Sequence, residues 1–119
     1  MNEWIGVDLD GTLAEYDDSY NDTYIGEPIP LMIDRVKQWI TDGLTVKIFT
    51  ARVSSMNPYK TEAISLIKTW CVKHIGVELD ITAEKDHGMT ELWDDRCVSV
   101  ETNTSIIKST DCLRNEIEY

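Results

Sequence analysis

The chain lacks the marks of a membrane or secreted protein. No apolar run approaches the roughly 20 residues a spanning helix needs, and Met1 to Val7 has neither the basic nor the long apolar part of a leader. A soluble, cytoplasmic protein is expected. Cysteine is sparse: Cys71, Cys97 and Cys112 are odd in number and none is spaced C-x-x-C, which argues against a disulfide framework and a zinc site. They are read as reduced, structural thiols. Asn21-Asp22-Thr23 has the form of a glycosylation acceptor, but without a secretion signal the match carries no weight. Basic residues are few, 11 Lys and Arg against 22 Asp and Glu, and the net charge of −11 repels nucleic acid and phosphorylated substrates at long range. Repeats, low-complexity tracts and linkers are missing too. A length of 119 residues suffices for one core but not two, so residues 1–119 are expected to form a single domain.

What is present is concentrated early. Val7-Asp8-Leu9-Asp10-Gly11-Thr12-Leu13 sets two carboxylates one residue apart, directly after the apolar run Trp4 to Val7. Side chains at i and i+2 of an extended segment point the same way, so Asp8 and Asp10 can share one small volume at a strand's end. Like charges held that close favour a cation between them. Mg²⁺ suits such a place, because it is usually held by one or two carboxylates and keeps waters or phosphate oxygens as its other ligands. A carboxylate beside it can attack phosphorus and form an aspartyl-phosphate, while the second serves as general acid and then base. In isolation Asp10-Gly11 would read as ordinary hairpin chemistry; the rest of the chain weighs against that. The acidic residues cluster at 8 to 22 and again at 94 to 95, so part of the excess charge is assigned to a metal site and the remainder to a solvated surface.

Apolar runs alternate with helical periodicities. Trp4 to Leu9 and Leu44 to Phe49 read as buried strands. Between them, Pro30 opens a helix, Ile33, Val36 and Ile40 recur at helical spacing, and Gly43 stands where a C-terminal cap belongs. A second helix is expected from about Tyr59 to His74 with Gly76 closing it, then short strands at Leu79 to Thr82, Thr90 to Trp93 and Cys97 to Val100, and weak helix from Ser105 to Asn115. Strand, helix and parallel return define an α/β class: a three-layer Rossmannoid fold, mostly parallel, with helices on both faces. Ligands in such sheets gather outside the carboxyl ends of the strands. Asp8 and Asp10 end the first strand, Thr50 and Arg52 follow the second, Lys85 the third, and Asp94-Asp95 the fourth, so all four polar sets fall on that edge.

With those four sets in place the chain resembles the haloacid dehalogenase superfamily of phosphohydrolases and phosphotransferases. Asp8-Leu9-Asp10-Gly11-Thr12-Leu13 matches its first motif in full, Thr50 after Lys47-Ile48-Phe49 the second, Lys85 in Thr82-Ala83-Glu84-Lys85 the third, and Asp94-Asp95 after Leu92-Trp93 the fourth. The resemblance covers about residues 4 to 100 and implies a catalytic set of Asp8, Asp10, Thr50 and Lys85. Asp8 would be the nucleophile, Asp10 the acid and base, Thr50 a donor to a phosphoryl oxygen, and Lys85 the neutralising cation. Substrate would lie against Thr50, Ala51, Arg52 and Lys85, and Mg²⁺ among Asp8, Asp10 (through its carbonyl), Asp94 and Asp95. A phosphomonoesterase acting on a small phosphorylated metabolite, such as a nucleotide or sugar phosphate, is the favoured expectation.

Neither gap between motifs is long enough for the cap domains that choose substrates in this superfamily, so a capless core is expected, which leaves room for an oligomer to close the site. Residues 14–30, acidic and rich in tyrosine, would form a flap over it. Its tyrosines could stack on a base or sugar, or simply pack the loop down. Arg52 could fork onto a second phosphate or carboxylate, or form a structural ion pair. The competing expectations are a phosphatase of nucleic-acid phosphate ends, disfavoured by charge, a non-catalytic domain that binds Mg²⁺ or a partner, and a phospho-acceptor receiver domain, disfavoured because its acceptor does not end the first strand.

Overall fold

A computed structural model describes residues 2–108. Its first strand, β1 (Trp4–Asp8), is buried on both faces along its apolar part, Trp4 to Val7, as suits a central parallel strand, and only Asp8 at its end is partly exposed. It pairs in parallel with β2 (Val46–Phe49) and with β4 (Met89–Trp93), and β2 pairs in parallel with β3 (Asp80–Thr82). The sheet order is β3-β2-β1-β4, which puts β1 in the middle and its carboxyl end between those of β2 and β4.

Two helices carry the crossovers. α1 (Pro30–Thr41) starts on the expected proline, whose fixed φ and missing N–H suit a first turn, and buries Met32, Ile33 and Val36. α2 (Lys60–His74) buries Ala63, Ile67, Trp70 and Cys71, and Gly43 and Gly76 take positive φ just beyond the two helix ends. Successive crossovers that step in one direction across a sheet lie on one face when both are right-handed. The packing agrees, since Ile5, Val7, Val46 and Ile48 share a single core with Ile33, Val36, Ala63 and Ile67. Trp39 and Trp93 close that core where α1 meets β4, with ring centroids 5.2 Å apart.

The other face is served by the return from β3 to β4. Trp4, 2% exposed, donates its indole N–H to Asp86 at 2.8 Å and its backbone N–H to the Gly88 carbonyl at 2.8 Å, so this short strap is pinned to the start of β1. Lys47 lies over the Trp4 ring at 4.7 Å.

The α/β class and the parallel sheet are as the sequence implies, but the two described helices pack on the same face rather than on both, because successive right-handed crossovers from β1 to β2 to β3 step in one direction. Cys97 to Val100 differs: it is no strand, and Val100 makes only an isolated antiparallel bridge with Ile107. After Trp93 the polar run Asp94-Asp95-Arg96 turns the chain away, which leaves the β-branched pair Val98 and Val100 exposed without a neighbouring strand. Residues 105–108 are not helical, and the remainder of the expected C-terminal helix, with Cys112, lies outside the described residues. No inserted domain interrupts the core: residues 14–29 are loop, and Ala51–Val53 forms a 3-10 turn before α2. No helix among the described residues is long and apolar enough to cross a membrane.

Candidate active site

The carboxyl edge of the sheet is where the first motif ends, and its turn is tightly closed. The Leu9 carbonyl accepts from the N–H groups of Leu13 and Ala14 at 3.0 and 2.9 Å, and the Gly11 N–H donates to the Ala14 carbonyl at 2.8 Å. Gly11 sits at φ +90°, and a Cβ there would stand 2.6 Å from Asp95 Oδ2. Only glycine lets the turn take that backbone and the Asp95 carboxylate come so near. Thr12 completes the junction: its hydroxyl lies 3.4 Å from both Asp8 Oδ2 and Asp95 Oδ1 and accepts from the Asp95 N–H at 3.1 Å.

Asp8, Asp94 and Asp95 thereby form a trio whose nearest carboxylate oxygens all lie within 4.8 Å of one another. Burial, then the charge of Asp94, then the hydrogen bond and charge of Asp95, and last the charge of Asp10 push Asp8 up from the usual 3.8 to about 7. Three oxygens this close, one of them pushed toward its protonated form by burial and then by its negative neighbours, are the donor set a hard divalent cation relieves. The residues therefore fit Mg²⁺.

The Asp10 carboxylate is directed elsewhere. Arg52 grips it with a planar fork, Nε to Oδ2 and Nη2 to Oδ1, both at 2.8 Å. The same guanidinium donates to the carbonyls of Tyr24 at 2.7 Å and Asp22 at 3.2 Å. Arg52 thus ties the second motif to both the first motif and the loop of residues 14–30. That loop is built by its own contacts. Its legs pair through Glu15 N–H to the Glu27 carbonyl (2.8 Å) and Ile29 N–H to the Leu13 carbonyl (2.9 Å). Asp17 and Asn21 side chains accept from Ser19 and Thr23 N–H, and Tyr20 meets Tyr16 and Tyr24 edge to face. Inside, the Trp70 indole donates to the Gly26 carbonyl at 3.1 Å, and a side chain on Gly26 would collide with the Glu15 carbonyl.

Thr50 is 3% exposed at the end of β2. Its N–H donates to the Thr82 carbonyl at 2.9 Å, and its Oγ1 accepts from the Arg52 N–H at 3.2 Å, capping the 3-10 turn and leaving the hydroxyl proton available. Asp8, Asp10, Thr50, Ala51, Arg52 and Asp94 all line one open cavity of about 390 Å³. Asp95, whose contacts are with Thr12 and the trio, is more exposed than Asp94. Lys85 is exposed on the strap, lines neither this cavity nor its larger neighbour, and makes no ion pair among the described residues. Tyr16, from the tyrosine-rich loop expected to form a flap, walls the small cavity, and Arg96, which sequence reasoning missed, lines it as a cation. Arg96 follows the acidic pair directly, and its N–H donates to Asp94 Oδ1 at 2.8 Å. A basic residue adjoining the fourth motif was the available signal. His74 packs its ring on Trp70 at 4.8 Å and His87 is exposed on the strap, so neither faces the trio.

A four-stranded parallel sheet in the order 3-2-1-4, with crossover helices and its acidic residues at the carboxyl edge, defines a Rossmann-like α/β protein. No family model and no curated protein matches the chain. Among solved structures, a conserved protein coded by a locus of Bacteroides thetaiotaomicron is similar, with 22% identity over 82% of this chain and 79% of that one at a TM-score of 0.52. The likeness is one of fold.

Proposed function

We propose that the chain is a Mg²⁺-dependent phosphomonoesterase of the haloacid dehalogenase type, working through an aspartyl-phosphate on Asp8. The observation that carries this is the Asp8, Asp94 and Asp95 trio at the carboxyl end of the central strand, with Asp10 two residues on and Thr50 beside it in one cavity. An Asp8 oxygen attacks phosphorus as the bond from phosphorus to the leaving oxygen breaks, and Asp10 supplies the proton to that oxygen. Asp10 then takes a proton from water, the water oxygen attacks phosphorus, and the Asp8 carboxylate is released with inorganic phosphate. Thr50 donates its hydroxyl to a phosphoryl oxygen, and Arg96 sets positive charge against the same group. Bound among Asp8, Asp94, Asp95 and the backbone near Asp10, Mg²⁺ would offset charge on the carboxylates and the phosphoryl oxygens. Both Asp10 oxygens are held by Arg52, so the leaving oxygen reaches Asp10 once one of those two contacts opens.

The exposed position of Lys85, outside the cavity, favours one second reading, a domain that binds Mg²⁺ or a partner without turnover. Phosphate release from a panel of nucleotides and sugar phosphates separates the two. Release that needs Mg²⁺, stops with EDTA and is lost in Asp8→Asn is expected; no release from any compound would move the assignment to the binding domain.

A further inference from the structure

Beside the small cavity lies a larger one of about 850 Å³, and the two share Asp10, Tyr16, Ala51 and Arg52. If phosphorus is attacked from Asp8 and Asp10 protonates the leaving oxygen, the breaking bond sits at that shared wall. The larger cavity then receives what leaves, and its chemistry is specific. Tyr16 and Tyr20 come from the loop of residues 14–30, and Tyr59, Ala63 and Leu66 from the start of α2, so the wall is mainly aromatic and aliphatic. Volumes of a few hundred to about 1,000 Å³ are those of sites for whole small molecules, which exceeds what a bare sugar fills.

The polar part of the wall combines the neutral Asn21, Thr23 and Asn57 with the carboxylates of Asp22 and Glu62, while its one cation among the described residues, Arg52, is committed to Asp10 and to two loop carbonyls. A second phosphate on the leaving group would meet carboxylates and no available cation. A neutral group with N–H donors would find acceptors, and a flat one would find ring faces on which to stack. We propose that this cavity binds the nucleoside half of a nucleoside monophosphate, with the base against Tyr59 and Tyr16 and its amino or imino groups toward Glu62 and Asp22. The assignment rests on the phosphomonoesterase reading for its orientation but not for its occupancy.

Two measurements on the full chain test it. In the first, kcat/KM is compared for nucleoside monophosphates, the matching diphosphates and ribose 5-phosphate. Monophosphates should exceed ribose 5-phosphate by at least about tenfold, the scale of one base stacked on an aromatic ring, and should exceed the diphosphates. Tyr59→Ala should reduce the preference over ribose 5-phosphate about tenfold and Tyr59→Phe should retain it; Tyr59 is 63% exposed, so neither change threatens folding. In the second, free nucleosides without phosphate are titrated and followed by chemical-shift changes. Saturable binding that weakens in Tyr59→Ala supports the cavity even if no phosphate is ever released, in which case the phosphatase reading alone fails. Equal turnover of ribose 5-phosphate and the nucleotides, a diphosphate preference, or nucleoside binding indifferent to Tyr59→Ala would overturn it.

Discussion

Replacing Asp8 by asparagine should stabilise the metal-free protein at alkaline pH while abolishing its response to Mg²⁺. Asp8 is pushed from 3.8 to about 7, chiefly by burial and by Asp94. Between those two values the folded chain holds a proton that the unfolded chain has released, so unfolding frees protons and stability falls as pH rises. The contribution is complete below about pH 4 and gone above about 7. A tenfold change in proton affinity is worth ~1.4 kcal/mol, which sets an upper bound of ~4 kcal/mol; solvent screening in an open, half-buried cleft reduces it to ~1–2 kcal/mol. For a chain of 119 residues that is on the order of 5 °C in Tm. Asp17 and Asp86, both lowered mainly by hydrogen bonds to their carboxylates, act with the opposite sign, but their stabilisation is lost only as pH falls toward and below the usual carboxylate range. Thermal unfolding followed by tryptophan fluorescence at pH 5 and pH 8, in EDTA and in Mg²⁺, isolates the effect. Wild type in EDTA should melt lower at pH 8, Mg²⁺ should restore the loss at pH 8 and add little at pH 5, and Asp8→Asn should flatten both differences. A metal-free Tm that rises from pH 5 to pH 8, or an Asn variant that keeps the wild-type slope, would refute the electrostatic account of the trio.

Gly11→Ala, forced into positive φ and against the Asp95 carboxylate, should cost ~1–3 kcal/mol in urea unfolding and weaken Mg²⁺ binding in a calorimetric titration. Arg52→Ala removes the charged hydrogen bonds to Asp10 and the Tyr24 carbonyl, so a loss of ~1–3 kcal/mol is expected, with limited proteolysis appearing within residues 14–30. Ile67→Ala, at the fully buried centre of α2, should lower stability by ~2–5 kcal/mol yet leave Mg²⁺ affinity intact. The Cys71 thiol, pushed up to about 11 mainly by burial, should resist alkylation at pH 8 in native protein and react once urea unfolds it, as mass spectrometry of labelled peptides would show.

The elements most legible in the sequence were those whose signal is local. The Asp8 to Leu13 motif needs only a strand end and a glycine turn, and the Pro30 start and Gly43 end of α1 are each decided within a few residues. The β-branched alternation of Cys97 to Val100 was misleading for the converse reason, since a strand exists only where a neighbour offers hydrogen bonds and the sheet ends at β4. The pairing of Arg52 with Asp10 spans 42 positions and depends on how far the 3-10 turn after Thr50 swings the guanidinium back over β1, which no spacing rule contains. Residue type alone leaves a ligand fork and a structural ion pair equally open. Arg96 was not legible because an arginine beside two aspartates is as well suited to a solvated surface as to a cleft, and only the turn after β4 brings it to the cavity.

One guanidinium touches Asp10, the Asp22 carbonyl and the Tyr24 carbonyl at once. Such a three-way clasp couples the Asp10 carboxylate mechanically to the lip of the cleft. Under the proposed chemistry neither can be freed without disturbing the other, so release of the leaving group and re-arming of Asp10 for water would share one clock. Solvent viscosity, which slows a loop but not a bond, would then slow both halves of the catalytic cycle together.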